Sequence, residues 1–155
     1  MAAPVKAGKA VIDEFIAQAK IAVVGVSRDR NKFGNIAYRN LRDKGYHVLA
    51  VNPNIDRVEG EPCYPSLAAL PEAVGGVVIV VPPRETEKVV REAEAAGIRR
   101  VWLQPGAESP GAIAFCESHG LAVVHGECIM MFAPPVRSVH RFHRGVRGLF
   151  GQLPK

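Results

Sequence analysis

Residues 21–34 read IAVVGVSRDRNKFG, and the order of residue types in this stretch indicates how the rest of the chain is arranged. A run of apolar, mostly β-branched residues ends at Gly25, Ser27 follows, and a helical pattern begins after Gly34. A strand that stops at a glycine and turns into a helix is typical of a phosphate-binding loop in a doubly wound α/β domain. The amides of the turn and the positive end of the helix dipole both favour an anion there. The turn also carries three side-chain cations, which are Arg28, Arg30 and Lys32. The stretch therefore predicts a binding site for a phosphorylated ligand.

Strand and helix patterns alternate along the rest of the chain. Residues 52–74 are predicted to be a loop with a short helical turn after Ser66, and Asn35 is predicted to cap the second helix. Strands that alternate with helices over short connections predict an α/β domain with a doubly wound, parallel, five-stranded sheet and helices on both faces. The predicted strands are 21–26, 47–51, 77–81, 100–103 and 121–124, and the predicted helices are 8–19, 35–45, 84–96 and 109–120.

The composition excludes several classes of protein. The chain has 155 residues, enough for one domain with a single core, and its 48% hydrophobic and 23% charged residues are ordinary for a globular protein. It contains no apolar run of the roughly 20 residues that a membrane span needs, and the first ten residues lack the apolar core of a secretory signal. Three scattered cysteines do not make a disulfide framework. These features predict a cytoplasmic protein.

The positive charge of the chain is confined to its last residues. The formal net charge is +5, and the stretch from Arg137 to the end carries five basic residues and no acid. Residues 1–136 are therefore neutral overall, so a nucleic-acid partner is not expected. We interpret 8–135 as the domain and 136–155 as a basic amphipathic helix and tail packed on it, whose arginines could contact an acidic protein partner.

Four predicted strand ends mark the expected ligand site. In a doubly wound sheet, ligands bind beyond the carboxyl ends of the strands, where the strand order reverses. At each of these ends stands a proline, glycine or small polar residue that leaves backbone groups accessible. The ends are Gly25-Val26-Ser27, Asn52-Pro53, Val81-Pro82-Pro83 and Gln104-Pro105-Gly106.

The same residues argue against an NAD site. The G-x-G-x-x-G fingerprint is absent, and Asn52 stands where an NAD-binding protein needs an acid for the ribose hydroxyl groups. A neutral asparagine near several cations suits a ligand with more phosphate than NAD carries. NADP and coenzyme A (CoA) both meet that description.

The motifs IAVVGVS, GYHVLAVNP and CYPSLAALP resemble those of the small stand-alone CoA-binding protein family. That family is related to the N-terminal CoA-binding domain of the succinyl-CoA synthetase α subunit and of ADP-forming acyl-CoA synthetases. The resemblance covers about residues 11–131. Two segments depart from the family pattern, VVPPRE after the third strand and HGECIMM after the fifth.

The resemblance implies a Rossmann-like fold with CoA lying across the strand ends. Ser27, Arg28 and Lys32 would hold the pyrophosphate, Asn52-Pro53 would lie by the adenosine, and Val81-Pro82 would line the floor. Cys128 could face the thiol end, although a cysteine beside three apolar residues is more often part of a core. The full set of candidate cofactor-binding residues is Gly25, Val26, Ser27, Arg28, Lys32, Phe33, Gly34, Asn52, Pro53, Val81, Pro82 and Gln104.

Three functional hypotheses follow. The first is a module that binds CoA or acyl-CoA without catalysis, since no nucleophile–base pair or carboxylate pair stands out. The second is an NADP-dependent oxidoreductase or a reductase-like regulatory domain. The third is an adaptor whose basic C-terminal helix binds an acidic partner, with CoA as an effector.

Overall fold

The computed structural model describes residues 8–134, in which a seven-stranded sheet lies between two layers of helices. The helices and strands follow in chain order, with short 3-10 turns at Leu67–Ala69 and Ile129–Met131. They are α1 (Lys9–Ile16), β1 (Lys20–Val24), α2 (Phe33–Asp43), β2 (His47–Val51), β3 (Arg57–Val58), β4 (Glu61–Tyr64), β5 (Gly76–Ile79), α3 (Pro83–Ala95), β6 (Arg100–Leu103), α4 (Pro110–Ser118) and β7 (Ala122–His125).

The strand order is β3-β4-β2-β1-β5-β6-β7, and every neighbouring pair is parallel except β3 with β4. The chain leaves β1 toward β2 on one side and later returns to place β5 on the other side of β1. The order therefore reverses at β1, which puts the expected ligand crevice at the carboxyl ends of β1 and β5.

Alternate residues of the central strands pack on opposite helix layers. Ile21 and Val23 belong to the apolar cluster that includes α1 and α2, whereas Ala22 and Val24 belong to the cluster that includes α3 and α4. All four residues of β5 are buried, as a parallel strand covered on both faces requires. The predicted doubly wound α/β fold with helices on both faces is confirmed.

The five predicted strands are present, and the segment predicted to be a loop adds two more. β3 and β4 form an antiparallel hairpin at the sheet edge, and β4 also pairs in parallel with β2. These strands have two and four residues and include Pro62, so they lack the alternating apolar pattern that predicts a strand. The sheet is thus mostly parallel rather than wholly parallel, with seven strands rather than five.

None of the helices in the described residues is long and apolar enough to cross a membrane. The predicted basic helix of residues 136–155 lies outside those residues.

Candidate functional site

Two glycines allow the end of β1, the end of β5 and the start of α2 to meet. Gly25 has φ +122°, and a Cβ there would overlap the carbonyl oxygen of Val80. A Cβ on Gly34 would in turn overlap the carbonyl oxygen of Gly25. Glycine is required at both positions because backbone packs directly against backbone. The first turn of α2 is therefore held against the carboxyl end of the central strand.

The loop after β1 is fixed by a side chain that reaches back from α2. The side-chain oxygen of Asn35 accepts a hydrogen bond from the Ser27 amide, and its nitrogen donates to the Ser27 carbonyl, both at 2.8 Å. Asn35 is only 1% exposed. The prediction that Asn35 caps α2 was wrong: the helix begins at Phe33, after Lys32 in the cap position, and no side chain caps it. Asn35 binds the loop instead.

The start of α2 leaves amide donors for an anion. Asn35 is the first residue of this helix whose backbone amide donates to the Lys32 carbonyl, so the amides of Phe33 and Gly34 have no intrahelical acceptor. The Ser27 hydroxyl lies in the same loop, where it accepts from the Asp29 amide at 3.1 Å. The Ser27 amide, by contrast, is already bound to Asn35. The helix end rather than Ser27 N therefore supplies the backbone donors.

The cations of the loop are exposed and unpaired. Arg28, Arg30 and Lys32 are exposed, and none forms a salt bridge with an acid within residues 8–134. Arg28 donates through Nη2 to the Asn54 carbonyl at 3.4 Å, which brings its guanidinium across to the loop after β2. The guanidinium of Arg28 therefore lies between the loop after β1 and the loop after β2.

The end of β2 is tied to the end of β1. Asn52 donates through Nδ2 to the Val26 carbonyl at 2.6 Å and accepts from the Asn54 amide at 2.7 Å. Pro53 is exposed beside it. The side-chain amide of Asn52 therefore sets the spacing of the two loops, and Pro53 offers an open surface.

The ends of β5 and β6 continue the same edge of the sheet. Val81 is half-buried and Pro82 is exposed. Gln104 is fully buried, and its oxygen accepts from the Ile129 amide at 2.7 Å while its nitrogen lies 3.5 Å from Cys128 Sγ. The Gln104 side chain therefore positions the loop after β7, in which Cys128 is half-buried.

The β3–β4 hairpin contributes a residue that the sequence did not single out. Glu59 lies in the hairpin turn, its side chain is 6% exposed, and its carboxylate accepts from Arg39 at 2.7 Å and from Asn35 at 3.3 Å. Burial raises the pKa of this carboxyl group, but hydrogen bonds from Arg39 and Asn35 and the charges of Arg39 and Arg30 outweigh it and lower the pKa below its ordinary value. Glu59 is thus held as an anion behind the loop.

All twelve predicted site residues come after the carboxyl ends of β1, β2, β5 or β6, and these four strands are adjacent in the sheet. No group of three or more His, Cys, Asp or Glu side chains in the described part of the chain could hold a metal ion.

Comparison with known proteins identifies one family to which the chain belongs. A family model described as "CoA binding domain" matches residues 19–134. Acetate–CoA ligase (ADP-forming) I of Archaeoglobus fulgidus is 30% identical over 134 residues, which are 80% of this chain and 20% of the ligase. This chain thus spans about one fifth of the ligase's length. The uncharacterized protein YneT of Bacillus subtilis is 30% identical over 125 residues, which cover 78% of this chain and 90% of YneT.

Solved structures of similar size share the fold. A conserved hypothetical protein of Pyrococcus furiosus superposes with a TM-score of 0.69 at 46% identity, covering 72% of this chain and 97% of that protein. A hypothetical protein of Pyrococcus horikoshii superposes with a TM-score of 0.77 at 30% identity, covering 84% of this chain and 95% of that protein.

Proposed function

Because the chain belongs to the CoA-binding domain family, we propose that it binds coenzyme A, free or acylated, along the carboxyl edge of its sheet. The observation that carries the proposal is the start of α2, where the amides of Phe33 and Gly34 have no intrahelical acceptor and the adjoining loop carries exposed cations that form no salt bridge within residues 8–134. CoA supplies the matching chemistry, a diphosphate linked to a 3′-phosphorylated adenosine on one side and to a thiol-terminated arm on the other.

The residues of the loop after β1 fit a diphosphate. Lys32 and Arg28 provide charge and form no salt bridge within residues 8–134, and the amides of Phe33 and Gly34 provide donors at the positive end of α2. Gly25 and Gly34 leave no side chain between the strand end and the helix start. Ser27 adds a hydroxyl group that can turn toward a phosphate oxygen.

The neighbouring strand ends suit the two remaining parts of the ligand. Asn52 and Pro53 flank the loop on the β2 side, where the adenosine would lie. Val81 and Pro82 flank it on the β5 side and offer an apolar floor to the pantetheine arm. Gln104 would act by holding the loop that carries Cys128, near the thiol end of that arm.

We propose a binding or regulatory role rather than a catalytic one. The matched part of the ADP-forming ligases is about one fifth of their length. The site described above holds cations, amides and a buried acid engaged by Arg39, a set that suits the recognition of phosphate.

A ligand screen tests the proposal. The midpoint of thermal unfolding should be measured with CoA, acetyl-CoA, NADH, NADPH and ATP, followed by calorimetry of each ligand that raises it. A ligand at a hundred times its Kd adds about 2.7 kcal/mol, which raises the midpoint of a domain of this size by roughly 5–10 °C. We expect that rise with CoA or acetyl-CoA. A rise with NADPH and none with CoA would favour the oxidoreductase hypothesis instead.

A further inference from the structure

Two side chains of α2 hold the loop after β1 at two separate points. Asn35 binds both the amide and the carbonyl of Ser27, and Arg39 donates through Nη1 to the Arg30 carbonyl at 2.9 Å. Asn35 and Arg39 are four residues apart and so lie on the same face of the helix. The loop residues between these points, Arg28 and Asp29, are thereby bracketed.

Both contacts converge on one oxygen of Glu59. Its Oε2 accepts from Arg39 Nη1 at 2.7 Å and from Asn35 Nδ2 at 3.3 Å. The Ser27 amide and carbonyl determine which side-chain atom of Asn35 faces each of them, and the second Nδ2 hydrogen of Asn35 is donated to Glu59. The carboxylate therefore links the two contacts and holds both side chains against the loop.

The backbone of Glu59 does not favour a glutamate. Glu59 has φ +53° and Gly60 has φ +81°, both positive as a type I′ hairpin turn requires. Asparagine or glycine is the ordinary choice at the first of these positions, since a side chain such as glutamate is unfavourable in the left-handed region. The turn itself is held on α2 by Arg42, which donates to the Glu59 carbonyl at 3.4 Å. The turn geometry does not require the carboxylate, and the backbone of the turn has a contact with α2 of its own.

We propose that Glu59 is a positioning residue for the diphosphate-binding loop, an inference that rests on the proposed function. Its carboxylate holds the Asn35 side chain in the place from which it binds the Ser27 peptide from behind. It also engages Arg39, which keeps that guanidinium from the phosphate. Lys32, Arg28 and the first amides of α2 then bind the diphosphate on the opposite side of the loop.

Three variants distinguish a positioning role of Glu59 from a contribution to the stability of the protein alone. Glu59→Asn suits the left-handed backbone but is too short to keep both contacts, and Glu59→Gln keeps an acceptor of the same length without the charge. Glu61→Gln changes an exposed acid in the same hairpin and serves as the control. Denaturant unfolding of each variant establishes that it is folded.

The first readout needs no ligand. Amide hydrogen exchange at Ser27 reports its hydrogen bond to Asn35, and exchange at Val23 in β1 reports the core. We expect Ser27 protection to fall about tenfold in Glu59→Asn, with Val23 unchanged, and to stay within about threefold of wild type in Glu59→Gln and Glu61→Gln. Unchanged Ser27 exchange in Glu59→Asn would overturn the proposal, whether or not CoA binds.

The second readout is CoA affinity by calorimetry. We expect the Kd of Glu59→Asn to rise about tenfold, that of Glu59→Gln to rise less, and that of Glu61→Gln to stay unchanged. Loss of Ser27 protection with wild-type CoA affinity would also overturn the proposal. Failure of the wild-type protein to bind CoA would instead refute the proposed function, and the exchange measurement would still report whether Glu59 orders the loop.

Discussion

Gly34 in the first turn of α2 packs directly on the backbone of Gly25 at the end of β1, so closely that a Cβ on Gly34 would overlap the Gly25 carbonyl oxygen. This contact sets the distance between the strand end and the two free amides of the helix. The fold and the proposed ligand site are thus joined through two residues that have no side chains. Any substitution that moves α2 outward should affect both stability and binding.

Gly34→Ala should therefore destabilise the protein and weaken CoA binding. Overpacking of this kind costs about 1–3 kcal/mol, which outweighs the gain of roughly 1 kcal/mol from alanine in a helix. Gly111 is the matched control because it is also the second residue of its helix, and the one close neighbour of a Cβ there would be the flexible end of Glu87, 2.7 Å away. Urea unfolding should show a loss for Gly34→Ala and none for Gly111→Ala. Equal stability of the two variants would contradict the account.

Reversing the charge of the loop should abolish CoA binding without unfolding the protein. The double variant Ser27→Asp, Lys32→Glu places two anions at the start of α2, where the helix dipole and Arg28 would otherwise attract phosphate. Lys88→Glu, at an exposed lysine of α3, is the control for a change in overall charge. Calorimetry should detect no CoA binding to the double variant and near-normal binding to the control. Retained affinity in a folded double variant would place the diphosphate elsewhere.

Glu59 should make the stability of the protein depend on acid pH. Its folded-state pKa is lowered from the ordinary value of 4.5, so the ionised carboxylate adds stability above pH 4.5, and this is lost as the pH falls through the lower folded-state pKa. The groups around it are Arg39 and Arg42 on α2, Arg30 in the loop and Glu61 on β4. The difference in unfolding free energy between wild type and Glu59→Gln should be constant near neutral pH and shrink below about pH 4.5. A difference that does not change with pH would mean that the charge adds nothing.

Bound CoA should protect Cys128 from alkylation. β7 lies three strands from β1, about 14 Å at the usual strand spacing. A pantetheine arm has roughly the reach of an extended four- to five-residue peptide, about 15 Å. Cys63 and Cys116 are buried, and burial raises the pKa of both thiols, that of Cys116 to about 12, so they serve as slow internal controls. Mass spectrometry after brief iodoacetamide treatment should show Cys128 modified first and its modification slowed by CoA. Equal modification with and without CoA would indicate that the arm points elsewhere.

The sequence predicted the features that depend on local chemistry. The apolar runs located β1, β2, β5, β6 and β7. Ser109-Pro110 marked the start of α4, where the Ser109 hydroxyl accepts from the Ala112 amide, and the glycines marked the loop after β1. Asn35 was wrongly predicted to be a helix cap because a capping side chain bonds to residues next to it in sequence. Its partners are instead the Ser27 peptide and Glu59, which is 24 residues away. β3 and β4 were missed because their pairing depends on an unusual Glu59-Gly60 turn and on β2 rather than on apolar alternation.

Binding of CoA at the loop after β1 can be observed directly by titrating the ¹⁵N-labelled protein with CoA and following the backbone amide chemical shifts. We expect the largest shifts on residues 27–34 at the start of α2, with smaller shifts near Asn52 and Val81. Shifts that instead concentrate at the amino-terminal ends of the strands, around Glu72 and His47, would contradict the proposed site. Absence of shifts at saturating CoA would also contradict it.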